Sequence, residues 1–389
     1  MVGCTRSRDG RSAPAASAPL DWPPGEERVR VERRVDGRRF GVAKQVLFSV
    51  IIVGGLLLAA EGSIRIWALF FRTSYERYNA RAGRLELVPN LRYTNSRGQE
   101  FRINSKGFVG PEFDDWPRPG VYRIIALGDS STFATGFWQI GYPSMLERLL
   151  NGGVPSRRFE VINAGIEGYN STFALDRIRD ELLWYRPHLM IIYIGWNDLM
   201  KTDPANASRV DKYPWLAQLL DRIYLIKAYK KLLFVNLRPL VLRPSTAEDP
   251  RDAHAFDRFV PARYRSNLEE MMRLVRRHDV KVLLVTLPTV VRPGMTGEEL
   301  RRANVLFPYF AGAYGVSRLL SLYRTYNRTI VEVGGREGVE VVDLAAAFEP
   351  IKERTPYFWD TMHPSEKGHA LIAETLFGRI RELEHQGRL

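Results

Sequence analysis

The sequence predicts an α/β fold: a doubly wound, flavodoxin-like parallel sheet of about five strands with helices on both faces, preceded by a single transmembrane helix. Three observations carry this reading. Short, mainly apolar runs recur at 122–127 (YRIIAL), 159–163 (FEVIN), 189–194 (LMIIYI), 281–287 (KVLLVTL) and 339–344 (VEVVDL). Helix-like stretches lie between them, at 142–151, 171–185 and 265–278, with a last one after His363. Strands without alternation need cover on both faces, which parallel crossover connections supply. The third observation is an apolar stretch, VLFSVIIVGGLLLAA (46–60), directly after the densest basic one, 27–44.

Taken in order, residues 1–40 are rich in Pro, Ala, Ser and Arg with little periodicity, and a disordered basic tail is expected there. The apolar run is slightly short for a span of about 20 residues, but continuing through EGSIRIWALFF gives an anchor over 45–70. Glu61 and Arg65 then fall near one end, where such side chains snorkel, and Trp67, Phe70 and Phe71 suit an interfacial belt. The long preceding segment and the poor cleavage site at Leu58-Ala59-Ala60 disfavour a removed signal peptide. The basic flank places the N-terminus in the cytoplasm and the rest outside it.

Residues 75–118 form a β-rich lead-in, in which the alternation over 85–113 around Arg97-Gly98 and Lys106-Gly107 predicts a small hairpin. The main domain is expected over 119–389. The interval 199–265 breaks its rhythm and reads as a helical insertion. Its segment 216–242 is either an interfacial helix or a helix packed on the domain.

The chain has 389 residues, 45% hydrophobic and 26% charged, enough for a sizeable core. Its one cysteine, Cys4, excludes an intrachain disulfide and has no apolar segment before it to make a lipidation signal. The net charge of +13 raises nucleic acid as a partner. Basic residues are spread along the whole chain, however, without zinc-finger spacing or an aromatic RNA-binding signature, so none is expected.

Four features fall just after strands, at the carboxyl edge where parallel sheets bind ligands. These are Gly128-Asp129-Ser130-Ser131, then NAGIEGYNS (163–171), then Gly195-Trp196-Asn197-Asp198, and finally Asp360-Thr361-Met362-His363. Each alone is weak; their joint occurrence at one edge is the signal. Of six histidines, only His363 has an aspartate three residues upstream.

This constellation resembles the SGNH, or GDSL-type, hydrolase family over roughly residues 120–385, and EFRINSKGFVGPEF before it looks like the lead-in of membrane-anchored bacterial members. The resemblance implies Ser130 as nucleophile and Asp360 and His363 as the rest of a triad. It also implies an oxyanion hole from the N–H groups of Ser130 and Gly168 and the amide of Asn197. Gly128, Asp129, Gly195 and Asp198 would support these. Two departures stand out: the first block reads G-D-S-S, and Trp196 lies inside the third, where its bulk could narrow the acyl pocket.

The chemistry can be argued from residue types as well. A serine hydroxyl needs a base within hydrogen-bond reach, and neutral histidine is the usual one. A carboxylate on the other ring nitrogen fixes its tautomer, and a spacing of three lets Asp360 and His363 share one helical turn. Pro364 suits the first position of a following helix. Plainer alternatives stand beside each: Ser130 as a helix cap, Gly168 as a positive-φ glycine, and Asn197 and Asp198 as an Asx turn. Glu366 and His369 fall at a spacing that suits ligands but are more simply faces of the last helix, so neither metal nor cofactor is expected. The G-x-S-x-G elbow of α/β-hydrolases lacks its second glycine here.

The expected activity is therefore an extracytoplasmic serine esterase acting on an acyl ester of a cell-envelope glycan or lipid. Transfer of the acyl group to a carbohydrate, or a silent glycan-binding scaffold, are the alternatives.

Overall fold

The computed structural model describes residues 41–70, 75–79, 82–153, 157–202, 225–226, 229, 250–307 and 315–389. The tail expected at 1–40 lies outside the described residues, as does the 216–242 segment apart from positions 225, 226 and 229.

Helix α1 (Val42–Phe70) runs for 29 residues, about 43 Å at the α-helical rise. Its stretch Val42–Ile66, with mean hydropathy 2.1, is long and apolar enough to cross a membrane. Leu47, Phe48, Ile51 and Leu58 are exposed along it. Glu61 and Arg65 pair at 2.7 Å one turn apart, which lowers the cost of carrying two charges near an apolar span. The belt expected from Trp67, Phe70 and Phe71 lies outside the described side chains.

The lead-in contains two hairpins rather than one. Strands β1 (Glu76–Asn79) and β2 (Arg84–Leu87) pair antiparallel, as do β3 (Leu91–Thr94) and β4 (Glu100–Ile103). Asn79 makes the first turn, its backbone and side-chain oxygens accepting from Gly83 and Ala82. Phe101 is fully buried and stacks on Tyr93, with Phe133 and Phe137 edge-on.

The main sheet has five parallel strands: β5 (Val121–Gly128), β6 (Arg158–Gly165), β7 (Leu189–Tyr193), β8 (Lys281–Val285) and β9 (Glu340–Val342). Their spatial order is β6-β5-β7-β8-β9, the flavodoxin-like arrangement, with the order reversing beside β5. All five residues of β7 are buried, as its unbroken apolar run requires.

Helices α2 (Ser130–Phe133), α3 (Tyr142–Leu150), α4 (Ser171–Asp180), α5 (Trp196–Met200) and α6 (Ala262–Arg276) follow in chain order. Then come α7 (Gly297–Arg302), α8 (Val316–Glu337), α9 (Leu344–Phe348) and α10 (Glu366–His385). Helices α3 and α10 pack together, while α6 packs against both α4 and α8.

Two helix boundaries differ from the sequence reading. The 171–185 stretch breaks at Glu181, whose φ of −141° leaves the helix, and continues as a 3-10 turn. The last helix opens on Ser365, whose hydroxyl accepts from Gly368 N–H, so Pro364 precedes the cap instead of starting the helix.

Arg123 ties the amino-terminal end of the sheet to the lead-in. Its buried guanidinium donates to the Glu160 carboxylate (2.6 Å) and to the carbonyls of Asp114, Asp115 and Tyr185. Arg123→Ala should therefore cost roughly 3 kcal/mol, read as a lower chemical-denaturation midpoint of the detergent-solubilised full chain.

Candidate active site

Strands β6, β5 and β7 end on one row. Gly128 is in register with Gly165 on one side and Tyr193 on the other. The three loops that follow therefore leave the sheet side by side, and each carries one of the groups singled out by sequence.

After β5 the chain turns at once into α2. Asp129 is the cap: its Oδ1 accepts from Ser131 N–H at 2.9 Å. Ser130 is thus the first helical residue, not the cap, and its hydroxyl remains free for another partner. Gly128 permits this close turn, because a Cβ there would lie 2.0 Å from Thr132 Oγ1 and 2.6 Å from the Tyr193 carbonyl.

The partner of Ser130 comes from the far end of the chain. Ser130 Oγ and His363 Nε2 are 2.7 Å apart, and His363 Nδ1 lies 2.7 Å from Asp360 Oδ2. Asp360 uses its other oxygen to accept from the backbone N–H groups of Met362 and His363. The pair thus sits in a side-chain-closed bend rather than the helical turn that its spacing suggested. Thr361 anchors this bend: its carbonyl accepts from the Thr289 hydroxyl, and its own hydroxyl bonds to Leu306.

Gly168 lies in the turn after β6, exposed, with φ of +71°. No internal acceptor takes its N–H among the described residues, and the same holds for the N–H of Ser130. Asn197 lies in the first turn of α5 after β7 and donates from Nδ2 to the Tyr169 carbonyl at 2.9 Å, joining its loop to that of Gly168. One amide proton of Asn197 remains for another acceptor.

Asp198 does more than close a local turn. Its two oxygens accept from the N–H and the hydroxyl of Ser171, fastening α5 to the start of α4. Gly195 before it has φ of +144°, and a Cβ there would meet the Tyr264 hydroxyl at 2.7 Å. Trp196 does not border an open pocket: it is fully buried and stacks on Tyr323. Glu366 and His369 both lie on α10, and among the described residues no group of three His, Cys, Asp or Glu side chains is placed to hold a metal.

The carboxyls around Ser130 are tuned apart. Burial pushes both Asp129 and Asp198 up to about 6. For Asp360 burial is outweighed by the hydrogen bond and charge of His363 and by two backbone donors, which hold it below the usual carboxylate range. For His363 burial favours the neutral ring, but the Asp360 bond and charge overcome it and raise the imidazole above 6.5.

A family model of the GDSL-like lipase/acylhydrolase family matches residues 126–371. The chain belongs to that family. It is accordingly a serine ester hydrolase. Among curated proteins it is similar to the GDSL esterase/lipase CPRD49 of Arabidopsis thaliana, 22% identical over 270 residues that cover 68% of this chain and 81% of the relative. Similar solved structures include the acetyl xylan esterase AlAXEase, at 17% identity and TM-score 0.41, covering 66% of this chain and 99% of that one. A catalytic mutant of Axe2, an acetylxylan esterase from Geobacillus stearothermophilus, is 16% identical with TM-score 0.43, covering 67% and 94% respectively.

Two residues that contact these loops escaped the sequence reading. Glu167, beside Gly168, accepts from the hydroxyl of Tyr75 in the lead-in. Neither type stands out in a sequence.

The Asp360 carboxylate stabilises the imidazolium, so its removal leaves burial as the stronger influence on the ring. In Asp360→Asn, His363 should titrate at lower pH than in wild type, followed by NMR of its ring protons.

Proposed function

We propose that Ser130, His363 and Asp360 are the catalytic triad of this hydrolase. The 2.7 Å contact from Ser130 Oγ to His363 Nε2, with Asp360 on the other ring nitrogen, carries the reading. Ser130 Oγ attacks the ester carbonyl carbon while His363 Nε2 takes the hydroxyl proton. Asp360 fixes the tautomer and favours the imidazolium that forms. The carbonyl oxygen, now negative, accepts from Ser130 N–H, Gly168 N–H and the free Asn197 amide proton; loss of one such donor typically costs roughly 10²–10³ in rate. Collapse of the tetrahedral intermediate breaks the C–O bond, and His363 protonates the departing alcohol. Water then attacks the acyl-serine with His363 as base, releasing the acid and restoring Ser130.

The substrate we infer is an acyl ester of a cell-envelope glycan. A groove of about 480 Å³ runs between the lead-in and the loop that carries Asp360 and His363. Asn95, Arg97 and Gln99 line one side, and Trp359, Glu366 and Lys367 another. Trp359 is 61% exposed, and its backbone N–H donates to the His363 carbonyl, which ties this exposed aromatic residue to the loop of the proposed triad. Amides, charges and an aromatic face suit a sugar better than an acyl chain. The helix α1 would hold the enzyme in the membrane, with the catalytic domain on the extracytoplasmic side because basic residues flank the other end.

Wild-type full chain in detergent should release free acid from a short-chain aryl ester and from an acetylated oligosaccharide. Ser130→Ala should lower both rates at least about 10³-fold; an unchanged rate removes Ser130 from the mechanism. Acyl-glycan appearing in place of free acid when a sugar acceptor is added would make the enzyme a transferase. For topology, a carboxyl-terminal reporter that is active only outside the cytoplasm should give signal, and one active only inside should stay silent.

A further inference from the structure

The turn that carries Gly168 has a mechanical weakness. Tyr169 N–H closes it onto the Ile166 carbonyl, which makes Glu167 and Gly168 its central residues. The peptide between those two bears the Gly168 N–H. In a turn with glycine at its third position that peptide can face either way, since glycine accepts both signs of φ. Apart from its chain neighbours, no heavy atom of the described residues lies within 4 Å of where a Gly168 side chain would begin, so no packing on that side holds the plane.

Its two neighbours are held instead, and both by the lead-in. Glu167 Oε2 accepts from the Tyr75 hydroxyl at 2.6 Å. Tyr169 donates its hydroxyl to the Leu85 carbonyl at 2.6 Å, while its own carbonyl accepts from Asn197. The Tyr75 ring also stacks on Phe133 of α2, the helix that begins with Ser130, with ring centroids 5.1 Å apart. A second side of the ring meets Phe101. One tyrosine therefore touches both the element carrying Ser130 and the loop carrying Gly168. Burial and the Glu167 carboxylate raise the Tyr75 phenol far above its usual range, so it stays a donor at any working pH. Tyr75 and Leu85 both precede residue 126, where the family match begins.

We infer that Tyr75 is a positioning residue for the oxyanion hole: through Glu167 it keeps the Gly168 N–H aimed alongside the donors of Ser130 and Asn197. The inference rests on the proposed role of Gly168. The donor itself is not removed when the clamp is lost, only its aim, so the effect falls on the transition state and not on substrate binding.

Kinetics of the full chain in detergent on a short-chain aryl ester test it. Tyr75→Phe keeps the ring stacking and should lower kcat about tenfold, less than the loss of a whole donor, with KM unchanged. Glu167→Ala and Glu167→Gln both lose the charge felt by His363, but only Gln still offers an oxygen to Tyr75. Gln should therefore retain most of the kcat that Ala loses, a comparison that also decides the matter if Tyr75→Phe does not fold. The double variant Tyr75→Phe/Glu167→Ala should be no slower than Glu167→Ala alone. Wild-type kcat in Tyr75→Phe, equal losses in the two Glu167 variants, or losses that multiply in the double variant would overturn the clamp. Ser130→Ala run in parallel separates the two ideas: full activity there defeats the triad reading itself, whereas an inactive Ser130→Ala beside a normal Tyr75→Phe defeats the clamp alone.

Discussion

Three neighbouring strands that stop on one row, Gly165–Gly128–Tyr193, are the constraint from which the site follows. In a parallel sheet every strand presents the same end to the same edge, so loops from distant parts of the sequence leave it together. The reversal of strand order beside β5 opens a space above that row. Ser130, Gly168 and Asn197 each follow their strand by a few residues. His363 reaches Ser130 across 233 positions of sequence, and only the sheet makes that approach possible.

What holds the far partner in place is local. The bend from Asp360 to His363 is closed by the aspartate itself and by the bonds of Thr361 to the β8 side of the sheet and to Leu306. Ser365 then caps α10 immediately afterwards. The same carboxyl chemistry takes two opposite directions within this small region. Asp360, with donors on both oxygens, is held ionised. Asp129 and Asp198, more deeply buried, keep their protons to higher pH. Proximity to Ser130 alone does not decide the charge of a carboxyl; its donors and its burial do.

The sheet was legible because each of its strands contains a short, mainly apolar run and helix-like stretches lie between these runs, the pattern of a sheet covered on both faces. Helix α8 was not, although it is the longest helix of the main domain among the described residues. Its buried face includes Ser321, Thr325 and Thr329, which break the apolar stripe in sequence. In the fold the two threonines donate to carbonyls one turn back, so the hydroxyls cost little when buried. The stretch 182–185 misled in the opposite sense: LLWY continues an apolar pattern, yet the backbone at Glu181 has already left the helix. The groups around Ser130 could be singled out because Ser, His, Asp, Asn and Gly at strand ends are unusual company. Tyr75 and Glu167 could not, being common residues joined across 92 positions.

The lead-in changes where this enzyme ought to be considered to begin. A boundary drawn at residue 126 by likeness to relatives encloses Ser130, His363 and all of the main five-stranded sheet but the start of β5. It leaves outside the aromatic residues that press on α2 and the only tether on the Glu167 side chain among the described residues. Truncation at that boundary would keep Ser130, Asp360 and His363 and discard part of the frame around them. Between helix α1 and the hydrolase, these residues form an inner wall of the enzyme rather than a spacer.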